Sequence, residues 1–251
     1  LHMAFNFGFT HQPWRPLAFQ QTITAWDSAV APDAWPCYVL SNHDNPRHVT
    51  RHGEGPFADE RAKVAAALLL TQRGTPFLYM GEEIAMRSPR IARKDLADPY
   101  DKRLWPFHKG RDSSRTPMQW DDSPNTGFTT GKSWLPVCPT YKKINVATQR
   151  NDPNSVLNFY RSLLRLRRES PGLRRGKFHL LIEKPVTAML YLRETEEQTM
   201  LVALNFFGHG TTTPVPPGEW VRQLSTHPGG PVPAGNLTLA PFEASIFELK
   251  K

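Results

Sequence analysis

"YVLSNHDNPRH", residues Tyr38 to His48, begins as a β-branched and aromatic run and breaks abruptly at Asn42, His43 and Asp44. That is the pattern of a strand whose carboxyl end delivers polar side chains to the edge of a sheet. His43 can donate a hydrogen bond to a hydroxyl, and Asp44 can hold negative charge beside a developing cation. A capped loop often carries the same pair, so the surrounding sequence has to decide what it serves.

Towards the amino terminus, Met3 to Phe9 reads as a short strand, Leu17 to Ser28 as a helix and Pro36 to Ser41 as a second strand. In the other direction, Asp59 is the expected N-cap of a helix from Glu60 to Arg73 that Gly74 ends, and Pro76 to Met80 is a third strand. Strands alternating with helices predict a parallel sheet with helical crossovers. Gly81 to about Val137 is long and irregular, which is uncommon unless such a segment shapes a site. A helix then runs from about Asn154 to Glu169, with Val156, Tyr160, Leu163 and Leu164 on one face. Beyond Pro171, short alternating runs such as "AMLYL" and "ASIFEL", separated by Pro and Gly, predict a small antiparallel β domain.

The chain has 251 residues, 39% of them hydrophobic, and 24 prolines, the texture of a globular protein with long connections. Its 31 basic and 23 acidic residues give a net charge of +8. The Lys and Arg are scattered except in Arg161 to Lys177, which is expected to be a solvated helix face. No basic groove with interleaved aromatics appears, so nucleic acid is not expected as a partner. Cys37 and Cys138 are too few for a disulfide framework and lack metal-ligand spacing. The stretch "LHMAFNFGF" has no basic leader region, and the apolar run from Val64 to Leu70 is too short to span a bilayer. The expectation is a cytoplasmic protein with no membrane partner and no cofactor.

Three stretches, taken together and in this order, are far more specific than the His-Asp pair: "LSNHDNPR" at Leu40 to Arg47, "GTPFLYMGEEI" at Gly74 to Ile84, and "KGRDSSRTPMQWDDSPNTGFTTG" at Lys109 to Gly131. They resemble the α-glucosidase and oligo-1,6-glucosidase group of the α-amylase superfamily, glycoside hydrolase family 13, over essentially the whole chain. The resemblance implies an α/β plus all-β fold. Residues 1–174 would be the C-terminal portion of a TIM (β/α)8 barrel, its last three strand-helix units, and residues 175–251 an antiparallel β-sandwich domain.

The reaction implied is retaining hydrolysis or transfer of α-glucosyl groups through an oxocarbenium-like transition state. Carried over by motif, Asp44 would stabilise that transition state and His43 would bind sugar hydroxyls. Arg111 would pair with Asp44 and the sugar, its fixed fork suiting bidentate contacts. Arg115 is similar to a residue lining the neighbouring acceptor subsite, with a buried ion pair as the alternative. Glu82 and Glu83 look like supporting residues, and no metal ligand is expected.

The family's nucleophile Asp follows a Gly-Phe-Arg type sequence on the fourth barrel strand and its acid/base Glu ends the fifth, both ahead of the sixth strand that "FNFGF" resembles. The two Gly-Phe pairs here, Gly8-Phe9 and Gly127-Phe128, are followed by Thr-His and Thr-Thr. The resemblance therefore implies the C-terminal portion of an α-glucosidase. It would be inactive alone and would need a complementary N-terminal chain to act on α-glucoside oligosaccharides. The alternatives are a non-catalytic remnant or sugar-binding subunit, and a transglycosylating relative such as trehalose synthase.

Overall fold

The computed structural model describes residues 3–31, 34–107 and 110–251. Leu1 and His2 of the amino-terminal stretch and Lys109 of the third motif lie outside the described residues. The chain forms two compact units. One holds Leu1–Val39, Glu60–Phe77 and Tyr160–Lys251, the other Leu40–Asp59 and Leu78–Phe159.

In the first unit, β1 (Phe5–Asn6), β2 (Cys37–Val39) and β3 (Thr75–Phe77) form a parallel sheet in that order. Helix Pro16–Ala29 links β1 to β2, and the chain between β2 and β3 contains helix Ala58–Thr71. This is the alternating order read from the sequence. The first strand is shorter than Met3 to Phe9 because Asn6 ends it: its side chain accepts from Phe9 N at 2.9 Å and caps a helical turn, Phe7–Thr10. Asp59 does not cap the second helix but lies inside it, since the helix already begins at Ala58. Gly74 returns the chain to the sheet with φ of +122°, and any side chain there would strike the carbonyl of Pro36.

The remaining strands are antiparallel. β4 (Lys177–Leu180), β5 (Ala188–Glu194), β6 (Thr199–Asn205), β8 (Trp220–Ser225) and β10 (Ala244–Leu249) form one sheet in the order β4-β5-β6-β10-β8. β7 (Thr211–Pro214) and β9 (Asn236–Leu239) pair separately. A shared apolar cluster joins the two: Leu190, Leu201, Ala203 and Phe247 from the larger sheet pack with Leu237 and Leu239 of β9. The alternation seen in the sequence thus corresponds to strands with one face in this cluster.

The same unit ties this sheet to helix Ala58–Thr71 through the unpaired carbonyls that every helix leaves at its carboxyl end. Arg193 of β5, fully buried, donates to Thr71 O and to Gly176 O. Arg167 donates to Leu70 O at 2.6 Å, Gln72 O at 3.0 Å and Gly74 O at 2.6 Å. Tyr191 of β5 meets Thr71 and Gln72 through its hydroxyl. Two guanidiniums therefore sit where the helix dipole is negative. Within the basic stretch Arg161 to Lys177, Arg167 departs from the expected solvated face for this reason. On helix Val156–Glu169, Val156, Tyr160 and Leu163 are buried, whereas Leu164 is 40% exposed and leaves the expected apolar face.

The burial of Arg193 sets an expectation. Arg193→Met leaves two buried carbonyls without donors and should cost about 3 kcal/mol in a urea denaturation. Arg168→Ala, at an exposed pair with Glu169, should stay within about 0.5 kcal/mol of the parent.

Candidate functional site

The second unit begins where β2 ends, and its first residues form a turn built by a side chain. Asn42 Oδ1 accepts from the backbone N–H of Asp44 and of Asn45, both at 2.9 Å, which fixes the direction of the two residues between the strand and Pro46. Ser114 Oγ then donates to Asn45 O at 2.6 Å, and Arg47, buried, donates to Met80 O and to Ser114 O. The guanidinium of Arg47 also lies 5.0 Å from the ring centre of Tyr79, whose hydroxyl donates to Ser114 O at 3.1 Å. The loop after β2, the loop after β3 and the 111–115 turn are held together by these bonds.

Asp44 stands on this frame with its side chain 49% exposed. Arg115 Nη2 donates to its Oδ1 at 3.0 Å, Arg111 Nη1 lies 3.7 Å away, and His43 Nε2 lies 3.4 Å from Oδ2. All four residues singled out from the sequence are thus brought together. Arg115 also donates to His43 O at 2.8 Å. Trp120 and Phe128 are half-exposed elsewhere on the long loop.

Both arginines rest on a residue that the sequence reading did not single out. Asp98, its side chain 3% exposed, accepts from Arg111 Nε at 2.7 Å and Nη2 at 3.0 Å, and from Arg115 Nη1 at 3.2 Å. The bidentate hydrogen bond from Arg111 holds the Asp98 carboxyl below the usual range. Asp98 is also the N-cap of helix Pro99–Leu104, accepting from Tyr100 N at 2.9 Å. The Asp-Pro dipeptide before a charged run was the only local sign of it in the sequence.

Asp98, Asp101 and Asp112 form a buried trio with one oxygen from each lying within 4.8 Å of the others. Their lone pairs are already engaged by N–H groups. Asp101 accepts from Arg111 N at 2.9 Å and Asp112 N at 2.8 Å, and Asp112 accepts from Ala97 N at 2.7 Å and Asp98 N at 2.9 Å. The trio is therefore a hydrogen-bonded frame that joins Ala97 and Asp98 to Arg111 and Asp112, with Asp112 Oδ1 its one oxygen lacking a hydrogen-bond partner. Gly110, at φ of +72°, lets the backbone pass the Asp101 carboxylate where a side chain would collide.

Glu82 is not beside Asp44. It is fully buried against His48, with Oε1 3.1 Å from Nδ1, while its Oε2 accepts from Tyr79 N at 2.6 Å. Ser41 Oγ accepts from His48 N at 2.9 Å. Burial pushes the Glu82 carboxyl up to about 8 and the His48 imidazole down to about 3, the nearby Arg51, Arg47 and Arg87 adding to the latter. With the carboxyl raised and the imidazole lowered, the pair is uncharged at neutral pH, and His48 Nδ1 also lies 3.0 Å from Ser41 Oγ. A cavity of about 680 Å³ in this unit is lined by Thr50, Arg90, Trp105 and Phe107 among others, but not by Asp44, Arg111 or Arg115.

The titration of this pair gives a signed expectation. A raised carboxyl stabilises the fold fully below about 4.5 and loses that contribution as pH rises through about 8, while the depressed imidazole contributes above about 6.5 and loses it as pH falls through about 3. The two oppose each other below about 6.5, so the clean window is about 6.5 to 8. There the parent should lose stability relative to Glu82→Gln by up to about 1.4 kcal/mol per pH unit, read from urea melts at several pH values.

Comparison with known proteins follows the same lines. The family description "Alpha amylase, catalytic domain" matches residues 4–176. An oligo-1,6-glucosidase of Parageobacillus thermoglucosidasius is 36% identical over 78% of this chain and 38% of its own length. That of Bacillus cereus is 32% identical over 95% of this chain and 47% of its own length. The crystal structure of trehalulose synthase MutB from Pseudomonas mesoacidophila MX-45 superposes with a TM-score of 0.86 at 33% identity, covering 97% of this chain and 48% of that one. The chain thus spans about half the length of the relatives it matches.

Proposed function

We propose, since this chain belongs to the α-amylase family, that its residues form part of a retaining α-glucosidase acting on the α-glucosidic bonds of oligosaccharides. Asp44 is the carboxylate that stabilises the transition state, and His43, Arg111 and Arg115 bind the glucosyl unit and its neighbour. The observation that carries this reading is the setting of Asp44, half-exposed on a turn, contacted by two guanidiniums and flanked by an exposed imidazole. A negative charge fixed in direction is what an oxocarbenium-like transition state needs beside it.

Retaining chemistry also needs a nucleophile and a proton donor roughly 5 Å apart across the bond. No stretch of this sequence matches the family's nucleophile motif. On this reading both carboxyl groups come from outside the sequence, from a further part of the protein or a complementary chain, and these residues alone do not turn over substrate. Residues 1–174 are read as the last strand-helix units of a (β/α)8 barrel and 175–251 as a β-sandwich. The parallel β1-β2-β3 order and the two antiparallel sheets with a common apolar cluster support that division. A cytoplasmic location is part of the same reading, supported by the free cysteines Cys37 and Cys138. Among the described residues no helix is long and apolar enough to cross a membrane.

A sugar-transferring or isomerising activity is the second reading, favoured by the fit to trehalulose synthase, one variant of which is described in complex with the substrate sucrose. In the assembled enzyme, Asp44→Asn should lower turnover on maltose or isomaltose by about three orders of magnitude with the thermal midpoint unchanged within a few degrees. Near-normal turnover would defeat the assignment. Product analysis on maltose and sucrose separates the two readings: free glucose indicates hydrolysis, and an isomeric disaccharide indicates transfer.

A further inference from the structure

We infer that Asp98 is a positioning residue for the proposed reaction: it sets which nitrogens of Arg111 and Arg115 face Asp44. This rests on the assignment of Asp44 given above. Arg111 spends one edge of its guanidinium, Nε and Nη2, on the two oxygens of Asp98, and only Nη1 is left on the side of Asp44. Arg115 has all three nitrogens committed, Nε to His43 O, Nη1 to Asp98 and Nη2 to Asp44. Both side chains are long and partly exposed, 38% and 23%, and would sample many rotamers without such an anchor.

Asp98 can play this part because it cannot itself move. Its backbone N–H donates to Asp112 Oδ2, the backbone N–H of Asp112 donates to Asp101, and that of Arg111 donates to Asp101 as well. The loop bearing Asp98 and the loop bearing both arginines are thereby locked by reciprocal backbone-to-carboxylate bonds. The ring of Tyr100, next but one to Asp98, lies 5.6 Å from the Arg111 guanidinium and supports its plane. The chain of contacts runs from a buried frame, through one carboxylate, to two cations, and then to the one half-exposed carboxylate.

Asp98 has a second task, capping helix Pro99–Leu104, and the test separates the two. Asn caps as well as Asp does, so Asp98→Asn keeps the bond from Tyr100 N but removes the charge and one of the acceptors the forks need. In the assembled enzyme with p-nitrophenyl α-glucoside, this variant should lose about 10- to 100-fold in kcat, the scale of a misplaced reacting geometry. KM should change less than about threefold and the thermal midpoint by no more than a few degrees. Placed in a background that already carries Arg111→Met and Arg115→Met, Asp98→Asn should slow turnover by no more than about a further threefold, because Asp98 acts through those two arginines.

A purely structural role predicts kcat near the parent, or a loss matched by a lower midpoint, and either result overturns the inference. So does a full Asp98→Asn loss that persists once both arginines are replaced. Loss in Asp44→Asn with retention in Asp98→Asn overturns this inference alone, whereas retention in Asp44→Asn removes the functional reading beneath it. A crystal structure of Asp98→Asn decides independently of activity: both guanidiniums displaced from Asp44 support the role, and both unmoved refute it.

Discussion

A carboxylate buried as deeply as Asp98 must be neutralised where it stands, and the site is organised by how that is done. Burial makes an unpaired charge prohibitive, so Arg111 and Arg115 are drawn to it and held. Two guanidiniums crowded on one carboxylate then present their remaining nitrogens to a second, half-exposed one, Asp44. The exposed end of the arrangement is therefore fixed by its buried end. A surface salt bridge alone is worth little and would not hold two long side chains in one geometry. The same loops are closed by the buried Arg47 guanidinium and by the Glu82–His48 pair.

The fold rests on a comparable device. The helix before β3 ends in carbonyls that the helix itself cannot satisfy, and Arg167 and Arg193 satisfy them from helix Val156–Glu169 and from β5. Parallel strands of two or three residues could not by themselves secure that helix; the buried arginines do so and fasten the antiparallel sheet to it.

How much of this was legible in the sequence follows from the kind of interaction involved. The strand-helix alternation showed because apolar periodicity and glycine stops are local, and the antiparallel strands showed as alternating runs. Asp44, His43, Arg111 and Arg115 were found through motifs, and the structure brings them together. Asp98 was missed because its only local mark, the Asp-Pro dipeptide, signals a helix cap; its importance for the site lies in contacts to residues 13 and 17 positions away. Asp59 misled because a good capping residue one position inside a helix looks the same in one dimension; in three, it pairs with Arg87 at 3.0 Å. Arg167 misled likewise, since a basic helix face looks solvated until the carbonyls opposite it are known.

The central claim, that Asp44 works on a glucosyl unit, is tested most directly by a crystal structure of the assembled enzyme soaked with glucose. The account predicts the sugar with hydroxyl oxygens about 3 Å from the Asp44 carboxylate and the His43 imidazole, and the Arg111 and Arg115 guanidiniums still on Asp98. A sugar bound elsewhere, with the Asp44 carboxylate contacting no ligand atom, would contradict it.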